Sequence, residues 1–315
     1  MRKNFKDIDI CAGFTAQNGA EWQKEIKTGK PWKRKALVFS RFIWKNQQNS
    51  VYLHLVMNMD RMETKENAII QAPLDERLQP QERMEAAVEL SQLVTEIVTY
   101  VICQTIVNND ELFNNERTAI AHAFLQRVAT THMCNHKLTT EGLVIEYNGQ
   151  PFQLHEEYKT MTLTRTVYEH LAMFYFLYEH PKTAEERDIV WKYWKTNSKR
   201  NNGSIELVRE KEKYVVRRVP FSQAWKYLFK NEDMTLMYRH LSMHCHPVYD
   251  GLVQYQSQSA SIHGEDCIPL YLSTCFLAYL CRLFLKLIPN GESIIKGEFN
   301  ERDQFLFYAM SHPDL

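Results

Sequence analysis

Glycine is scarce in this chain, 10 in 315 residues. A protein built from many strands turns tightly many times and draws on glycine at those turns, so the scarcity argues against a sheet-rich fold. Net charge is lacking too: 38 Lys and Arg balance 38 Asp and Glu. No global field therefore draws the chain to nucleic acid or to an anionic lipid surface, and any such binding needs a local patch. A disulfide framework is also missing. The seven cysteines (Cys11, Cys103, Cys134, Cys245, Cys267, Cys275, Cys281) are odd in number, scattered and mostly in apolar surroundings. That is the pattern of reduced, buried thiols in a cytoplasmic protein. The first residues, Met1 to Asp9, contain no apolar run of the kind a signal peptide needs. The most hydrophobic window, residues 268–288, is interrupted by Arg282 and Lys286, which predicts the central helix of a soluble bundle and no membrane span.

Several chemistries lack their sequence requirements. There is no Walker loop, no Gly-x-Gly-x2-Gly and no Gly-x-Ser-x-Gly, which disfavours nucleotide-dependent transfer and hydrolase-fold catalysis. Neither Cys-x2-Cys nor His-Glu-x2-His occurs. His132-Met-Cys134-Asn-His136 and His244-Cys245-His246 offer imidazoles and thiols, but zinc needs three or four convergent ligands, so no metal and no cofactor is expected. His263 and Cys267 lie close in sequence without a third group to orient them.

What the chain does have is helical periodicity. Apolar residues predict helix within residues 32–59, with a break at Asn46–Asn49. Leu90, Leu93, Ile97, Val101 and Ile106 predict a long amphipathic helix over 82–108, and Phe113, Ile120, Phe124 and Val128 another over 110–136. Residues 143–147 and 150–154 flank Asn148-Gly149 and read as a small β-hairpin. Helix resumes over 155–179 and stops at Pro181. Thr183-Ala-Glu-Glu186 opens the next helix with capping-box spacing. Asn201–Ser204 reads as a loop, Pro220 as an interruption and 222–246 as helix, with final helices over 268–288 and 301–310. The expected architecture is an all-α helical bundle with one small β-hairpin near residues 143–154. Its main domain covers residues 61–315, with residues 1–60 an N-terminal helical lobe or part of the same domain.

Two polar stripes interrupt these apolar helices. The first is Leu163-x-Arg165-x3-Glu169-His170, running into Leu171–Leu177. The second is Tyr238-Arg239-His240-Leu241-Ser242-x3-His246-Pro247. Arg165 and Glu169 share a helix face at i, i+4, as do Tyr238, Ser242 and His246 at successive fours. Pro247 places His246 at a helix C-terminus, where the dipole favours an imidazolium, as would a nearby Glu169. Charged groups inside apolar helices are costly unless partnered, so Arg165, Glu169 and His246 are expected to meet, with Tyr238 or Ser242 completing the cluster. The same residues could equally form a structural Arg–Glu pair, a surface ion pair or a C-capping histidine.

These two blocks, Leu163-x-Arg165-x3-Glu169 and Tyr238-x3-Ser242-x3-His246-Pro247, resemble an uncharacterised bacterial all-helical family over residues 155–290. That family implies no activity. More loosely, Arg239-His240-x3-His244, and equally Arg239 to His246, is similar to the Arg-x4–6-His motif of HEPN domains. These are helical bundles that often act as metal-independent ribonucleases in toxin and anti-phage systems. The same spacing recurs at Arg117/His122, Arg127/His132 and Arg165/His170, but only Arg239 is followed directly by a polar residue of the motif's kind. The resemblance implies catalysis by Arg239 with His244 or His246: the arginine stabilises phosphate charge and the histidine moves protons for attack by the ribose 2′-hydroxyl. Arg165, Glu169, Tyr238 and Ser242 would support them. RNA is then the expected partner, a homodimer the expected assembly, and neither DNA nor a membrane is expected. Two basic aromatic stretches, Lys24–Lys35 with Trp32 and Trp191-Lys-Tyr-Trp-Lys195 leading to Lys199-Arg200, could stack bases, though a solvated face explains each as well. The alternative from a different class is a non-enzymatic helical scaffold whose Arg–Glu–His network fixes helix register.

Overall fold

A computed structural model describes residues 65–108, 114–154, 157–197, 203–210, 213–229, 238, 241–242 and 267–311. All of them fall within one compact unit, residues 53–315. The expected N-terminal lobe, residues 1–60, and its helix over 32–59 lie outside the described residues.

In chain order the elements are α1 (Lys65–Gln71), a 3-10 turn (Ala72–Leu74), α2 (Pro80–Asn108), α3 (Glu116–Thr140), β1 (Leu143–Tyr147), β2 (Gln150–Leu154) and α4 (Glu157–Phe174). Then come a π-helical turn (Tyr175–Glu179), α5 (Ala184–Asn197), β3 (Ser204–Glu210), β4 (Lys213–Val219), α6 (Phe221–Leu228), α7 (Ile268–Leu285), α8 (Gly291–Lys296) and α9 (Glu301–Met310). The fold is the expected helical bundle carrying the expected hairpin over 143–154.

Local chemistry sets the boundaries. Asn115 caps α3 by accepting from the Arg117 amide at 3.0 Å, and Asn300 caps α9 by accepting from the Asp303 amide at 2.9 Å. Such caps are worth about 1 kcal/mol each. The capping box before α5 is formed: the Thr183 hydroxyl accepts from the Glu186 amide and the Glu186 carboxylate accepts from the Thr183 amide, both at 3.1 Å. β1 and β2 pair antiparallel, with Tyr147 opposite Gln150. Asn148 and Gly149 between them both take positive φ, 53° and 73°, as a two-residue type I′ turn requires.

α7 lies at the centre. Every residue from Ile268 to Leu285 except Arg282 is buried, and α2, α3 and α4 pack around it. By length and composition α7 and α2 could each cross a membrane, but 94% of the α7 window is buried inside the protein. For α2 the figure is 39%; its exposed positions include Glu85, Glu89 and Glu96, then Ile106 and Val107 at the C-terminal end. α4 turns Thr160, Met161, Thr164, Val167, Tyr168, Leu171 and Ala172 inward, the i, i+3, i+4 pattern of a core-facing helix.

Two features depart from the sequence expectation. Residues 204–219, beyond the expected loop, form a second antiparallel hairpin, with Ile205 opposite Arg218 and Arg209 opposite Tyr214. The helix expected over 222–246 breaks early: α6 ends at Leu228, and Phe229 is extended (φ −129°, ψ 133°). Its ring packs 4.7 Å from Trp225 and 5.8 Å from Phe276, so tertiary packing ends the helix where no glycine or proline does. Residues 238, 241 and 242 are helical again.

After α7 the chain folds back so tightly that a Cβ placed on Gly291 would lie 2.1 Å from the Leu285 carbonyl oxygen. Gly291→Ala is therefore expected to cost about 2 kcal/mol through forced repacking, read as a lower urea midpoint with an unchanged slope.

Candidate functional site

The first polar stripe lies on α4. Its four-residue spacing brings the Arg165 Nε–H to the Glu169 Oε1, 2.7 Å away, with the side chains 19% and 26% exposed. The same carboxylate oxygen accepts the Tyr238 hydroxyl at 3.1 Å. The Arg165 guanidinium lies 5.5 Å from the centre of the Tyr238 ring, within cation–π range. Ser242, one turn further along, adds a side-chain hydrogen bond to Tyr238. Burial and then the Glu169 carboxylate push the Tyr238 phenol above its ordinary value, with Arg165 and Ser242 pulling the other way. Tyr238 is thus a neutral donor around pH 7.

Tyr168 backs this node. Its ring lies 5.1 Å from that of Tyr238 and 4.6 Å from that of Trp225, and its hydroxyl donates to the Phe221 carbonyl at 2.6 Å. Residues from the two sequence stripes, Arg165 and Glu169 with Tyr238 and Ser242, therefore share one half-buried node. Arg239, His244 and His246 lie outside the described residues, and so does the expected meeting of His246 with Arg165 and Glu169.

A second polar node was not anticipated. Ser91 on α2 sits between two imidazoles of α3: its Oγ is 3.0 Å from His132 Nε2 and 2.8 Å from His136 Nδ1. His132 Nδ1 in turn is 2.8 Å from the Oγ of Ser273 on α7. One turn away, Asn135 Nδ2 donates to the Thr164 hydroxyl at 2.9 Å, and the single Thr164 proton is shared between the Pro269 and Thr160 carbonyls, each at 2.8 Å. Ser91, His132, Asn135, Thr164 and Ser273 are all buried. The sequence signal was a pair of histidines at i, i+4, weighed as metal ligands with Cys134. Instead both rings turn to Ser91, and Cys134 is exposed. Among the described residues no three His, Cys, Asp or Glu side chains converge as a metal site would need.

The basic aromatic stretch of α5 is likewise occupied within the fold. Trp191 is buried and lies 5.4 Å from Trp194 and 6.1 Å from Tyr178. Trp194 packs on Phe124 at 6.1 Å. Arg117 lies over Trp191 and pairs with Asp188, and Lys195 reaches Glu116 at 2.7 Å. Trp191 thus serves the packing of α5, while Trp194 is half-buried and Lys192 and Lys195 are exposed; Lys24–Lys35, Lys199 and Arg200 lie outside the described residues. Cys267 is buried with its thiol donating to the Pro73 carbonyl at 3.3 Å, and His263 lies outside the described residues. No family model, curated protein or solved structure matches the chain.

The buried histidine carries a consequence for pH. Burial first, then the neighbouring His136, hold the His132 imidazole neutral and push its pKa from 6.5 down to about 3. Between those values the unfolded chain binds a proton that the folded chain refuses. The stability this site contributes is therefore intact above about pH 6.5 and lost progressively as pH falls toward about 3. Urea unfolding at about pH 7.5 and about pH 4.5 should differ by roughly 2–3 kcal/mol from this group alone, and His132→Gln should remove that part of the difference.

Proposed function

We propose that this chain is a HEPN-like helical effector that binds or cleaves RNA, acting in the cytoplasm within a bacterial defence or toxin system. Arg239 would stabilise the phosphate charge and His244 or His246 would move the proton during 2′-hydroxyl attack. The reading is supported chiefly by the half-open node at Glu169. One carboxylate oxygen holds both Arg165 and Tyr238, and Tyr238 is the residue directly before Arg239. A motif needs its surroundings fixed before its side chains can be aimed, and this hydrogen bond anchors the side chain just ahead of the motif to α4. Unlike the closed node at Ser91, the Arg165–Glu169 pair keeps part of its surface in solvent, where an anionic ligand can approach. A second copy of the chain would supply a second motif, as the resemblance implies.

The second reading, a scaffold without catalysis, draws on the same node: Arg165, Glu169 and Tyr238 satisfy one another without a ligand. The two readings part on expression. If the enzyme reading holds, inducing the protein in bacteria arrests growth, and sequencing of RNA ends finds new cleavage sites. Arg239→Ala, or alanine at the catalytic histidine (His244 or His246), then lowers cleavage about 100-fold or more with the fold intact. Glu169→Ala would reduce cleavage more than its stability loss of about 1–2 kcal/mol explains. If growth and RNA ends are unchanged and Glu169→Ala affects stability alone, the scaffold reading wins.

A further inference from the structure

The closed node has a direction that its hydrogen-bond inventory determines. Burial holds both His132 and His136 below the ordinary histidine value, so each ring carries one proton at neutral pH and must donate from one nitrogen and accept at the other. The Ser273 hydroxyl must also donate. Among the described residues the partner of Ser273 is His132 Nδ1. If Ser273 donates there, His132 carries its proton on Nε2 and donates to Ser91. The Ser91 hydroxyl then donates to His136 Nδ1, and the Nε2–H of His136 is left at the half-buried end of the chain. Every buried donor is used. In the opposite direction Ser273 accepts from His132, and among the described residues its own buried proton has no other partner.

We infer that Ser273, His132, Ser91 and His136 form a polarised hydrogen-bond chain that senses protonation at His136. A proton gained at His136 Nδ1 reverses every bond and strands the Ser273 hydroxyl between α3 and α7. The proton count balances: His136 gains one proton from solvent, His132 shifts its own from Nε2 to Nδ1, and the two serine hydroxyls rotate. The groups that meet the pair are few. α2 presents Ser91, α7 presents Ser273, and α4 presents Thr164 by way of Asn135. On α3 itself Glu141, which also pairs with Lys137 at 3.6 Å, favours charge on His136, while a charged His136 opposes charge on His132. Acidification thus acts on the α3–α7 contact through the half-buried His136.

The test is a pH titration of the full chain labelled with 15N-histidine, following both ring nitrogens of each residue by long-range 1H–15N correlation from about pH 8 downward until His136 is fully protonated. At high pH His132 should be protonated on Nε2. As His136 becomes an imidazolium, His132 should cross to the Nδ1-protonated form with the same midpoint. A His132 that keeps one tautomer throughout, or begins as the Nδ1-protonated form, overturns the inference. Ser91→Ala cuts the chain, so the His136 midpoint should rise by about one pH unit, the equivalent of no longer stranding a buried hydroxyl. An unchanged midpoint in folded Ser91→Ala overturns the inference as well. Should that variant not fold, the wild-type tautomer reading decides by itself.

Discussion

A helix that is apolar on every face has no side to offer water, and the rest of the bundle is arranged to surround it. α7 is such a helix: Arg282 alone among its residues escapes burial. Its flanks must be covered by helices that are themselves apolar on one side, and α2, α3 and α4 meet that need with Leu90, Val94, Ile97, Leu125, Val128, Val167, Tyr168 and Leu171. The driving force is non-directional burial, which selects the neighbours of α7 but leaves their rotation and sliding loosely specified.

Polar groups supply what burial leaves open. An unpartnered hydroxyl or imidazole in a core costs several times what a satisfied one contributes, so a polar side chain works as a key that fits one register. Ser273 meets His132, and Thr164 meets both Asn135 and the Pro269 carbonyl. Sliding α7 by one turn would break both sets together. The Arg165–Glu169–Tyr238 node ties Tyr238 to α4 in the same way, but at the rim of the core, where part of each charge stays hydrated. The two nodes therefore differ in depth: one lies in the core with only His136 half-buried at its end, the other sits at the rim.

Much of this was legible in the chain. The stripes of α2 and α7, the Asn148-Gly149 turn and the Thr183–Glu186 box each rest on local rules that act within a few residues. The pairing of Arg165 with Glu169 was legible for the same reason, since helical spacing alone brings them together. What local rules could not supply was contact between distant segments. Ser91 and Ser273 look like ordinary polar interruptions until α2 and α7 are placed beside α3. Phe229 leaves the helix because its ring has a place against Trp225 and Phe276. The β3–β4 hairpin was hidden because charges are dense among its valines and only Ser204, Ile205 and Val219 are buried.

The π-helical turn at Tyr175–Glu179 bears on how this chain can vary in length. A wide turn takes in one more residue than an α-turn while leaving the helix direction unchanged. Removing one residue elsewhere in α4 would swing every later side chain by roughly 100°, taking Tyr178 from the Arg117 carbonyl and Glu179 from Lys286. Removing one from the wide turn would tighten it to an ordinary turn and leave the phase of α4 before it unchanged. Along α4, then, the tolerance for gaining or losing a residue is concentrated in this one turn, past the faces that hold Thr164 and Glu169 in place.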